Sequence, residues 1–449
     1  MLKLIVAVIG ASGNVGGGVV NLLNKQEIPF LLKHAIVKTL NPPNPYKGIQ
    51  LPKEKNFSND IKAAITDPDV NLVVVTTGDL KIDYESIVLA LSLGKHVVTP
   101  NKAVIAEYGD ELLQLADLNN VCLRYDSSCM GGVPLIPIIH FLKATPITGF
   151  EAVLNGTSNY LLNKMSEMPY EQALKSAQEA GYAEPDPTAD VKGHDVSRKA
   201  AIIMAIIFRI SIKEAYNALK ERTKGITELS PNMLHMAKTL GGAVRLVAQV
   251  EMKVVNTSEV TLSCAVEPTF TKTKLADLPG PSNGILITKQ GIETCDFFSG
   301  AGAGREATAS SVLNDITEIA EHGYSQNYWH CRDAKFINEE KAYLVCFSSR
   351  HRKILPSLNY EAQIQKEDHW WVIVKNAAYT DLINELHELP YEQIKIVPSD
   401  LNHTCQKLKA LDERKPVERL GEGFFNKNRS TVNLQEPSLH KGWNPCSIL

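Results

Sequence analysis

The N-terminal stretch joins a short apolar run to a glycine-rich turn, and this combination constrains the fold more than any other feature. Residues 3–9 (KLIVAVI) are apolar and rich in β-branched side chains, as is typical of a buried strand in a parallel sheet. Gly10, Gly13 and Gly16 follow directly, and a helical pattern begins at Val19. In this strand–turn–helix order, glycines let a pyrophosphate approach the helix N-terminus closely. The sequence therefore predicts an N-terminal nucleotide-binding unit.

Strand-like and helical patterns then alternate through the first 130 residues. The sequence predicts further strands at 32–39, 71–77, 95–99 and 121–125, with helices at 84–93 and 107–118. Strands that alternate with helices through short connections are the signature of a doubly wound parallel sheet. We therefore expect an α/β protein with a Rossmann-type doubly wound parallel sheet in a domain at residues 1–130.

Two further regions differ in character from the first. Residues 131–322 combine helical patterns at 158–168, 170–180, 191–209, 212–222 and 307–319 with strand-like segments at 246–255, 260–266, 284–289 and 292–298. This mixture predicts an α+β domain. Residues 323–449 offer strands at 342–347, 360–365, 370–375 and 393–397, a helix at 379–389 and a polar tail from about residue 412. They predict a small α+β C-terminal region over about 342–400, followed by a tail.

Length and composition point to a multidomain protein that acts on a small molecule. A chain of 449 residues exceeds one ordinary core, so two or three domains are expected. The net charge of −3 and the pI near 6.5 give no electrostatic basis for binding nucleic acid or an anionic membrane. Eight scattered cysteines without a C-x-x-C pair favour a reducing compartment.

The sequence contains no signal for a membrane location. No apolar run approaches the ~20 residues of a membrane span. The final residues Cys446–Leu449 match the prenylation pattern, but no polybasic stretch precedes them. We therefore expect a cytoplasmic protein.

The segment from Gly181 to Lys199 carries the strongest signal for chemistry. It contains four acids, two lysines and one arginine, and it runs directly into the apolar residues 200–208. Asp195 and Lys199 are four residues apart at the start of this predicted helix, so they lie on one face, one turn from each other. An exposed pair of this kind contributes only about 0.3–0.5 kcal/mol. We interpret the pair instead as part of a reaction centre anchored by the buried helix.

The acids upstream of that pair support this interpretation. The segment that leads into this helix also contains Glu184, Asp186 and Asp190, and prolines follow the first two. Each proline fixes its own φ and pushes the preceding acid towards an extended conformation, so the segment is stiff. A stiff acidic loop beside a lysine suits a small zwitterion. His194 lies about 100° around the helix from Asp195, so it is interpreted as a bystander.

Two lysines near predicted strand ends bear on the cofactor. Lys102 follows strand 95–99 at the carboxyl end, where open α/β sheets bind ligands, and partial burial there would suit proton transfer. Lys38 ends the second strand, where NAD-selective sites carry an acid, and no acid occurs over residues 29–52. A lysine favours the 2′-phosphate of NADP by charge. A solvated loop lysine is nearly as compatible with the sequence, and NAD stays an alternative.

Together these residues resemble the homoserine dehydrogenase family. The resemblance covers about residues 3–320, and its most specific blocks are 154–160 (LNGTSNY) and 181–199. The remaining matching motifs are the glycine turn at 10–16, Thr99–Ala103 (TPNKA), Gly131–Pro134 (GGVP) and Gly300–Gly304 (GAGAG), the last expected as a turn.

The resemblance implies reversible NAD(P)-dependent reduction of L-aspartate 4-semialdehyde to L-homoserine, in threonine and methionine biosynthesis. It also implies a homodimer or higher homo-oligomer, with residues 131–322 as the substrate-binding and dimerisation domain. By position, Lys199 and Lys102 would transfer protons, and Glu184 and Asp195 would hold the substrate hydroxyl and amino groups. The glycine turn, Lys38 and the resemblance together assign nucleotide contacts to Gly10, Ser12, Gly13, Asn14, Val15, Gly16, Lys38, Thr77, Lys102 and Gly181. The same resemblance implies a monovalent cation such as Na⁺ at the carbonyls of Asp126, Cys129, Gly131 and Val133.

Three departures from the family pattern qualify this assignment. The glycine turn is spaced G-x-x-G-x-x-G, one residue longer than the dinucleotide fingerprint. The cation loop begins with Asp126 where the family has Glu. Many relatives carry a regulatory domain of β-α-β-β-α-β order, but residues 348–358 are short, basic and broken by proline where its first helix belongs. This last departure argues against feedback by threonine.

Two other functions stay open at this point. The first is another NAD(P)-dependent amino-acid or semialdehyde dehydrogenase. A semialdehyde dehydrogenase that forms an acyl phosphate would need a nucleophilic cysteine, for which Cys129 is the candidate. A non-catalytic nucleotide-binding regulator would use the C-terminal region as a sensor, and the two lysines with the acidic segment argue against it.

Overall fold

A computed structural model provides the structure of the chain. It describes residues 2–25, 30–40, 56–142, 144–255, 259–325, 331–337, 341–348, 360–366, 368–375, 391–396 and 400–413. Within these ranges, no helix is long and apolar enough to cross a membrane. The predicted helix at 379–389 and the polar tail beyond residue 413 lie outside the described residues, as does the Cys446–Leu449 motif.

The N-terminal region forms a six-stranded parallel sheet, which confirms the α/β prediction. Its strands are β1 (Leu4–Ile9), β2 (Phe30–Ile36), β3 (Asn56–Ser58), β4 (Leu72–Val75), β5 (His96–Val98) and β6 (Leu123–Arg124). Its helices are α1 (Asn14–Lys25), α2 (Ile61–Thr66), α3 (Leu80–Ser92) and α4 (Lys102–Leu118). The central strands are buried on both faces, as the continuous apolar run LVVV of β4 requires.

The strand order creates a crevice at the carboxyl ends of β1 and β4. The order is β3-β2-β1-β4-β5-β6, so the connections turn in opposite directions on the two sides of β1. Open α/β sheets bind ligands at such a switch point. The glycine turn lies there and is tightly folded, because a Cβ on Gly16 would lie 2.3 Å from the Gly10 carbonyl oxygen.

The second region is built from an antiparallel sheet and a set of helices. Its strands are β7 (Ile147–Val153), β8 (Ala243–Val255), β9 (Glu259–Thr271), β10 (Ser282–Lys289) and β11 (Asp296–Ala301), in the order β11-β10-β7-β8-β9. Its helices are α5 (Ser127–Met130), α6 (Leu135–Phe141), α7 (Gly156–Met165), α8 (Tyr170–Glu179), α9 (Thr188–Val191), α10 (His194–Phe208), α11 (Ile212–Glu221), α12 (Pro231–Thr239) and α13 (Arg305–His322).

Several details of this region differ from the sequence-based expectation, which did not include β7, α6 or α12. The helix expected over 191–209 begins only at His194 as α10, because Gly193 adopts φ +80, a left-handed conformation that separates α10 from the short helix α9. Gly300 belongs to β11 and pairs with Asn283, so the expected turn over 300–304 begins only after Ala301. The helix α13 packs its apolar face against α1 and the β1–β2 side of the first sheet.

The C-terminal strands extend the second sheet into one of ten strands. They are β12 (Asp333–Ile337), β13 (Ala342–Ser348), β14 (Tyr360–Lys366), β15 (His369–Lys375) and β16 (Tyr391–Ile396), and α14 (Leu401–Glu413) follows. β12 and β16 both pair with β9 in parallel, β16 through Lys395 opposite Thr269 and Ile396 opposite Phe270. The C-terminal region is therefore joined to the second sheet by main-chain hydrogen bonds.

Candidate active site

Asp195 and Lys199 form a buried ion pair in the first turn and a half of α10. The carboxylate lies in the first turn, where the helix dipole favours a negative charge. Lys199 Nζ is 2.9 Å from Asp195 Oδ2, and the side chains are 8% and 6% exposed. The pair is thus enclosed by protein, as the apolar continuation of the helix predicted, and is distinct from a solvated surface ion pair.

Lys102 reaches the same carboxylate from the other domain. It is the first residue of α4, directly after the carboxyl end of β5 and the N-cap residue Asn101. Lys102 Nζ is 2.8 Å from Asp195 Oδ1, and its side chain is 38% exposed. The two predicted catalytic segments therefore converge, and Lys102 forms the open side of the cluster.

Asn155 and Asp190 complete the cluster, and neither was assigned a role from the sequence. Asn155 caps α7 through its Oδ1, which accepts from Ser158 N at 2.7 Å. Its Nδ2 donates to Asp195 Oδ2 at 2.9 Å and to Asp190 Oδ1 at 2.6 Å. Asn155 belongs to the family-like block LNGTSNY, and that membership was the available signal.

Lys199 has a second fixed acceptor. Its Nζ donates to the Leu154 carbonyl oxygen at 2.7 Å, and Asn283 Nδ2 donates to the same oxygen at 3.0 Å. An ammonium carries three N–H donors. Two of those on Lys199 are directed at protein acceptors within the described residues, which leaves the third for a substrate oxygen.

The charges shift the protonation equilibria of the three groups in different directions. Burial would raise the pKa of Asp195, but the charges of Lys199 and Lys102 outweigh it and hold this pKa well below its ordinary value. Burial lowers the pKa of Lys199, against the opposing charge of Asp195 and with the help of the like charge of Lys102. The charge of Asp195 raises the pKa of Lys102 despite burial. Lys199 is therefore the lysine suited to exchange a proton, whereas Lys102 stays an ammonium.

The predicted substrate residue Glu184 lies apart from this cluster's hydrogen bonds. Its side chain is exposed, and its backbone carbonyl accepts from Gln178 Nε2 at 3.2 Å. Gly181, a predicted nucleotide contact, is also exposed and has φ +76. Thr157 Oγ1 donates to the Tyr182 carbonyl at 2.8 Å and ties this loop to α7. The roles of Glu184 and Gly181 stay predictions.

The predicted nucleotide cradle is open at the start of α1. Gly13 and Asn14 are exposed and Ser12 and Val15 half-buried, while Arg305 Nε of α13 donates to Asn14 Oδ1 at 3.1 Å. The N-terminal N–H groups of a helix are an anion-binding element. Thr77, another predicted nucleotide contact, is half-buried on the loop after β4.

Lys38 lies where a cofactor 2′-substituent is expected. It is exposed two residues beyond β2, and Ile36, the last residue of β2, pairs with Ile9 at the end of β1. The Ile36 carbonyl also accepts from the N–H groups of Gly10 and Ala11. Lys38 is thus placed beside the glycine turn.

The predicted cation loop is buried and partly engaged in protein hydrogen bonds. The Asp126 carboxylate accepts from Ile136 N at 2.8 Å and from Ser311 Oγ at 3.0 Å, and burial raises its pKa to about 6. The Val133 carbonyl accepts from Leu135 N at 2.7 Å. Across the described ranges, no group of three or more His, Cys, Asp or Glu side chains is arranged for a metal. A carbonyl oxygen has two lone pairs, so the loop is compatible with a cation held by main-chain oxygens and not by the Asp126 side chain.

Cys129 is not suited to nucleophilic catalysis. Its side chain is fully buried, and burial raises the pKa of its thiol to about 12. A catalytic cysteine requires a thiolate near neutral pH and access to substrate. The structure therefore disfavours the acyl-phosphate dehydrogenase alternative. His194, interpreted as a bystander, is exposed.

Comparison with known proteins agrees with this arrangement. A family model described as homoserine dehydrogenase matches residues 134–317, and one described as the homoserine dehydrogenase NAD-binding domain matches residues 12–126. The chain is 34% identical to the homoserine dehydrogenase of Synechocystis over 318 residues, which covers 68% of this chain and 71% of that relative.

Solved structures of similar fold carry the same description. A homoserine dehydrogenase from Thiobacillus denitrificans is 25% identical with a TM-score of 0.77, covering 88% of this chain and 98% of its own. A hyperthermophilic archaeal homoserine dehydrogenase mutant in complex with NADPH is 24% identical with a TM-score of 0.57, covering 72% and 99% respectively, and this likeness concerns the fold alone.

Proposed function

This chain belongs to the homoserine dehydrogenase family and interconverts L-aspartate 4-semialdehyde and L-homoserine with a nicotinamide cofactor, and we propose that Lys199 is its proton-transfer group. The observation that carries the proposal is the three-way contact of Lys102, Asp195 and Lys199 across the two domains. The cofactor supplies or accepts the hydride. The protein must supply the proton, orient the substrate and stabilise the developing alkoxide.

Lys199 and Lys102 have different tasks in this proposal. In homoserine oxidation, the neutral amine of Lys199 takes the proton from the substrate hydroxyl, and in the reverse direction its ammonium returns the proton to the alkoxide. A lowered pKa favours this exchange because the neutral amine forms more readily than in an ordinary lysine. Lys102 remains charged and stabilises the alkoxide electrostatically. We thus assign proton transfer to Lys199, assisted by Lys102.

Asp195 serves mainly to hold the two ammonium groups. Its Oδ1 accepts from Lys102, and its Oδ2 accepts from Lys199 and Asn155. The substrate hydroxyl contacts the same cluster. The substrate amino group requires a further anion, and we assign it to Glu184, whose exposed carboxylate has no hydrogen bond or ion pair to any residue that the structure describes.

The cofactor is assigned as NADP. Lys38 is placed beside the glycine turn with its ammonium available to a 2′-phosphate, and an archaeal homoserine dehydrogenase of similar fold binds NADPH. Gly10, Ser12, Asn14 and Thr77 are expected to contact the nucleotide. Lys38→Ala should lower the ratio of kcat/KM for NADP⁺ to that for NAD⁺, and an unchanged ratio would reassign Lys38 to the solvated surface.

The remaining assignments are extensions of the family relationship. We assign the substrate-binding and dimer-forming surfaces to the region after residue 130, a homodimer as the assembly and Na⁺ as the cation of the 126–133 loop. We assign a reducing, cytoplasmic location, because Cys122, Cys129, Cys264, Cys295 and Cys405 are free thiols. Removal of Na⁺ and gel filtration with light scattering test the cation and the assembly.

The decisive test is initial-rate oxidation of homoserine by Lys199→Ala. The variant should lose about three orders of magnitude in kcat, which is typical for a general base together with its charge, while the dissociation constant of NADP⁺ stays within about twofold. Lys192→Ala is the matched control, because Lys192 is an exposed lysine of the same segment, near Thr227 Oγ1. Near-normal kcat in Lys199→Ala would refute the assignment.

A further inference from the structure

A single buried carboxylate joins two loops at the mouth of the nucleotide crevice. Asp83 lies in the first turn of α3 and is fully buried. Its Oδ1 accepts from Thr77 N at 3.2 Å and from the Thr77 hydroxyl. Its Oδ2 accepts from Gly78 N at 3.1 Å and from Asn101 Nδ2 at 2.7 Å. Thr77 and Gly78 follow β4, whereas Asn101 follows the neighbouring strand β5.

The bond to Asn101 leads directly to Lys102. Asn101 is the N-cap of α4, and its Oδ1 accepts from Ala103 N at 3.0 Å and from Val104 N at 3.3 Å. Lys102 is the first residue of that helix. The same amide therefore uses its oxygen to start the helix and its nitrogen to attach the helix start to Asp83. The attachment limits how far the Lys102 backbone can shift relative to the loop after β4.

A contribution to the stability of the fold does not by itself explain why the Asp83 carboxylate is buried here. A buried carboxylate is costly to desolvate, and within the described residues Asp83 makes no ion pair that would offset the cost. It is retained by four hydrogen bonds, all from the two loops that carry Thr77 and Lys102. Buried hydrogen bonds of this kind can hold a catalytic side chain in place to within fractions of an ångström.

We propose that Asp83 is a positioning residue that sets Lys102 and the Thr77–Gly78 loop in register, so that the cofactor loop and the substrate cluster are placed together. This inference rests on the proposed role of Lys102. Asp83 contacts neither Asp195 nor Lys199 and acts on them only through Asn101 and Lys102. The hydrogen bonds from Thr77 to the carboxylate hold the cofactor loop. The hydrogen bond from Asn101 holds the start of α4 and therefore Lys102.

Two variants separate these sides. Asp83→Asn places an amide N–H against donor groups and disturbs both loops. Asn101→Ser keeps an N-cap oxygen for α4 but loses the donor to Asp83. We expect Asp83→Asn to lower kcat roughly 10- to 100-fold, since an error near 1 Å has an effect of that order, and to raise the KM for the cofactor several-fold. Asn101→Ser should lower kcat with the cofactor KM within about twofold of the parent.

Asp79→Asn is the matched control. Asp79 caps the same helix α3 through Lys81 N and Ile82 N, both at 2.9 Å, and asparagine caps equally well. It removes one carboxylate from the same loop and should leave kcat and KM unchanged. Melting curves of all variants establish that each is folded, and Asn101→Ser decides the matter if Asp83→Asn does not fold.

A double-mutant cycle with Lys102→Ala distinguishes positioning from a general structural effect. If Asn101 acts through Lys102, Asn101→Ser should change kcat by less than about twofold in the Lys102→Ala background. The inference would be overturned if the kcat losses of Asn101→Ser and Lys102→Ala multiplied in the double variant. It would also be overturned if Asp83→Asn folded and kept a kcat near that of the parent. Near-normal kcat in Lys102→Ala alone would instead overturn the proposed role of Lys102, so the two failures are distinguishable.

Discussion

Asp195 and Glu267 are both buried carboxylates with lysines close to them. The two groups of lysines differ in their exposure to solvent and in the parts of the chain that supply them. Asp195 contacts Lys102 and Lys199 at 2.8 Å and 2.9 Å. Glu267, in the middle of β9, contacts Lys341 directly, and its oxygens lie 3.7 Å from the Nζ atoms of both Lys224 and Lys395. The chemical ingredients are nearly the same, so the difference in role has to come from access and from where the lysines originate.

Each cluster has one exposed lysine, but its distance from the carboxylate differs. In the Asp195 cluster, which we call open, Lys102 is 38% exposed, lies at the crevice and contacts the carboxylate at 2.8 Å. In the Glu267 cluster, which we call closed, the exposed Lys224 (50%) lies 3.7 Å away, whereas Lys341 and Lys395 are 19% and 1% exposed and Lys395 also donates to Gln249 on β8. Lys341 and Lys395 belong to the C-terminal region, which pairs with β9. An open cluster can exchange a proton with substrate. A closed one joins two parts of a sheet and contributes through stability.

Activity should depend most strongly on the anion that the two lysines of the open cluster share. Asp195→Asn keeps the side-chain size but leaves Lys102 and Lys199 without their shared anion, so neither ammonium is held for the substrate. We expect kcat/KM for homoserine to fall by about three orders of magnitude, or roughly 4 kcal/mol of transition-state stabilisation. Initial-rate kinetics measure the loss, and a decrease below tenfold in a folded protein would contradict the comparison.

The matching change in the closed cluster should act on stability instead. Removing one partner of a buried ionic cluster leaves uncompensated charge and typically costs about 3–5 kcal/mol. We therefore expect Glu267→Gln to lower the free energy of unfolding by several kcal/mol, with kcat per folded molecule within about threefold of the parent. Chemical denaturation monitored by circular dichroism measures the first quantity.

The dependence of unfolding on acid pH provides an independent check on the role of Glu267. Burial would raise the pKa of Glu267, but Lys341 and Lys395 outweigh it, so its pKa in the folded protein lies below the ordinary value. A depressed carboxyl pKa contributes stability above the unfolded-state pKa, and that contribution is lost as pH falls through the folded-state pKa. Glu267→Gln should accordingly weaken the acid dependence of unfolding. An unchanged acid profile would assign that dependence to other groups.

The parts of the site that the sequence predicts are those fixed by local spacing, and the parts it misses are contacts between distant segments. The i,i+4 spacing of Asp195 and Lys199 and the strand-end position of Lys102 follow from helix period and sheet topology, so residue patterns are sufficient for them. The bond from Asn155 to Asp195 depends on how α7 approaches α10, and no local spacing encodes it. Glu267 follows the predicted strand 260–266 and has no local sequence signal, because its lysine partners come from distant parts of the chain.

The fold shows the same limit. Much of the parallel sheet was predicted, because strands such as β1 and β4 are continuous apolar runs. The short strand β12 (DAKFI) was not, since two of its five residues are charged and its pairing with β9 provides the structure. The start of α10 was predicted three residues too early, because the helical pattern extends back to Val191 whereas the left-handed Gly193 interrupts the backbone before His194.

Removing the charge of Lys102 should shift the pH profile of homoserine oxidation by a modest amount. Homoserine oxidation requires the neutral amine of Lys199, so kcat should rise with pH and level off once that amine is deprotonated. Burial lowers the pKa of Lys199, and the like charge of Lys102 lowers it further. In Lys102→Met that like charge is gone, so the pKa of Lys199 rises and the inflection moves to higher pH, although total activity is lower. Lys224→Met, the corresponding change beside Glu267, should leave the inflection in place. If both substitutions displaced it equally, long-range charge and not contact within the open cluster would set the protonation of Lys199.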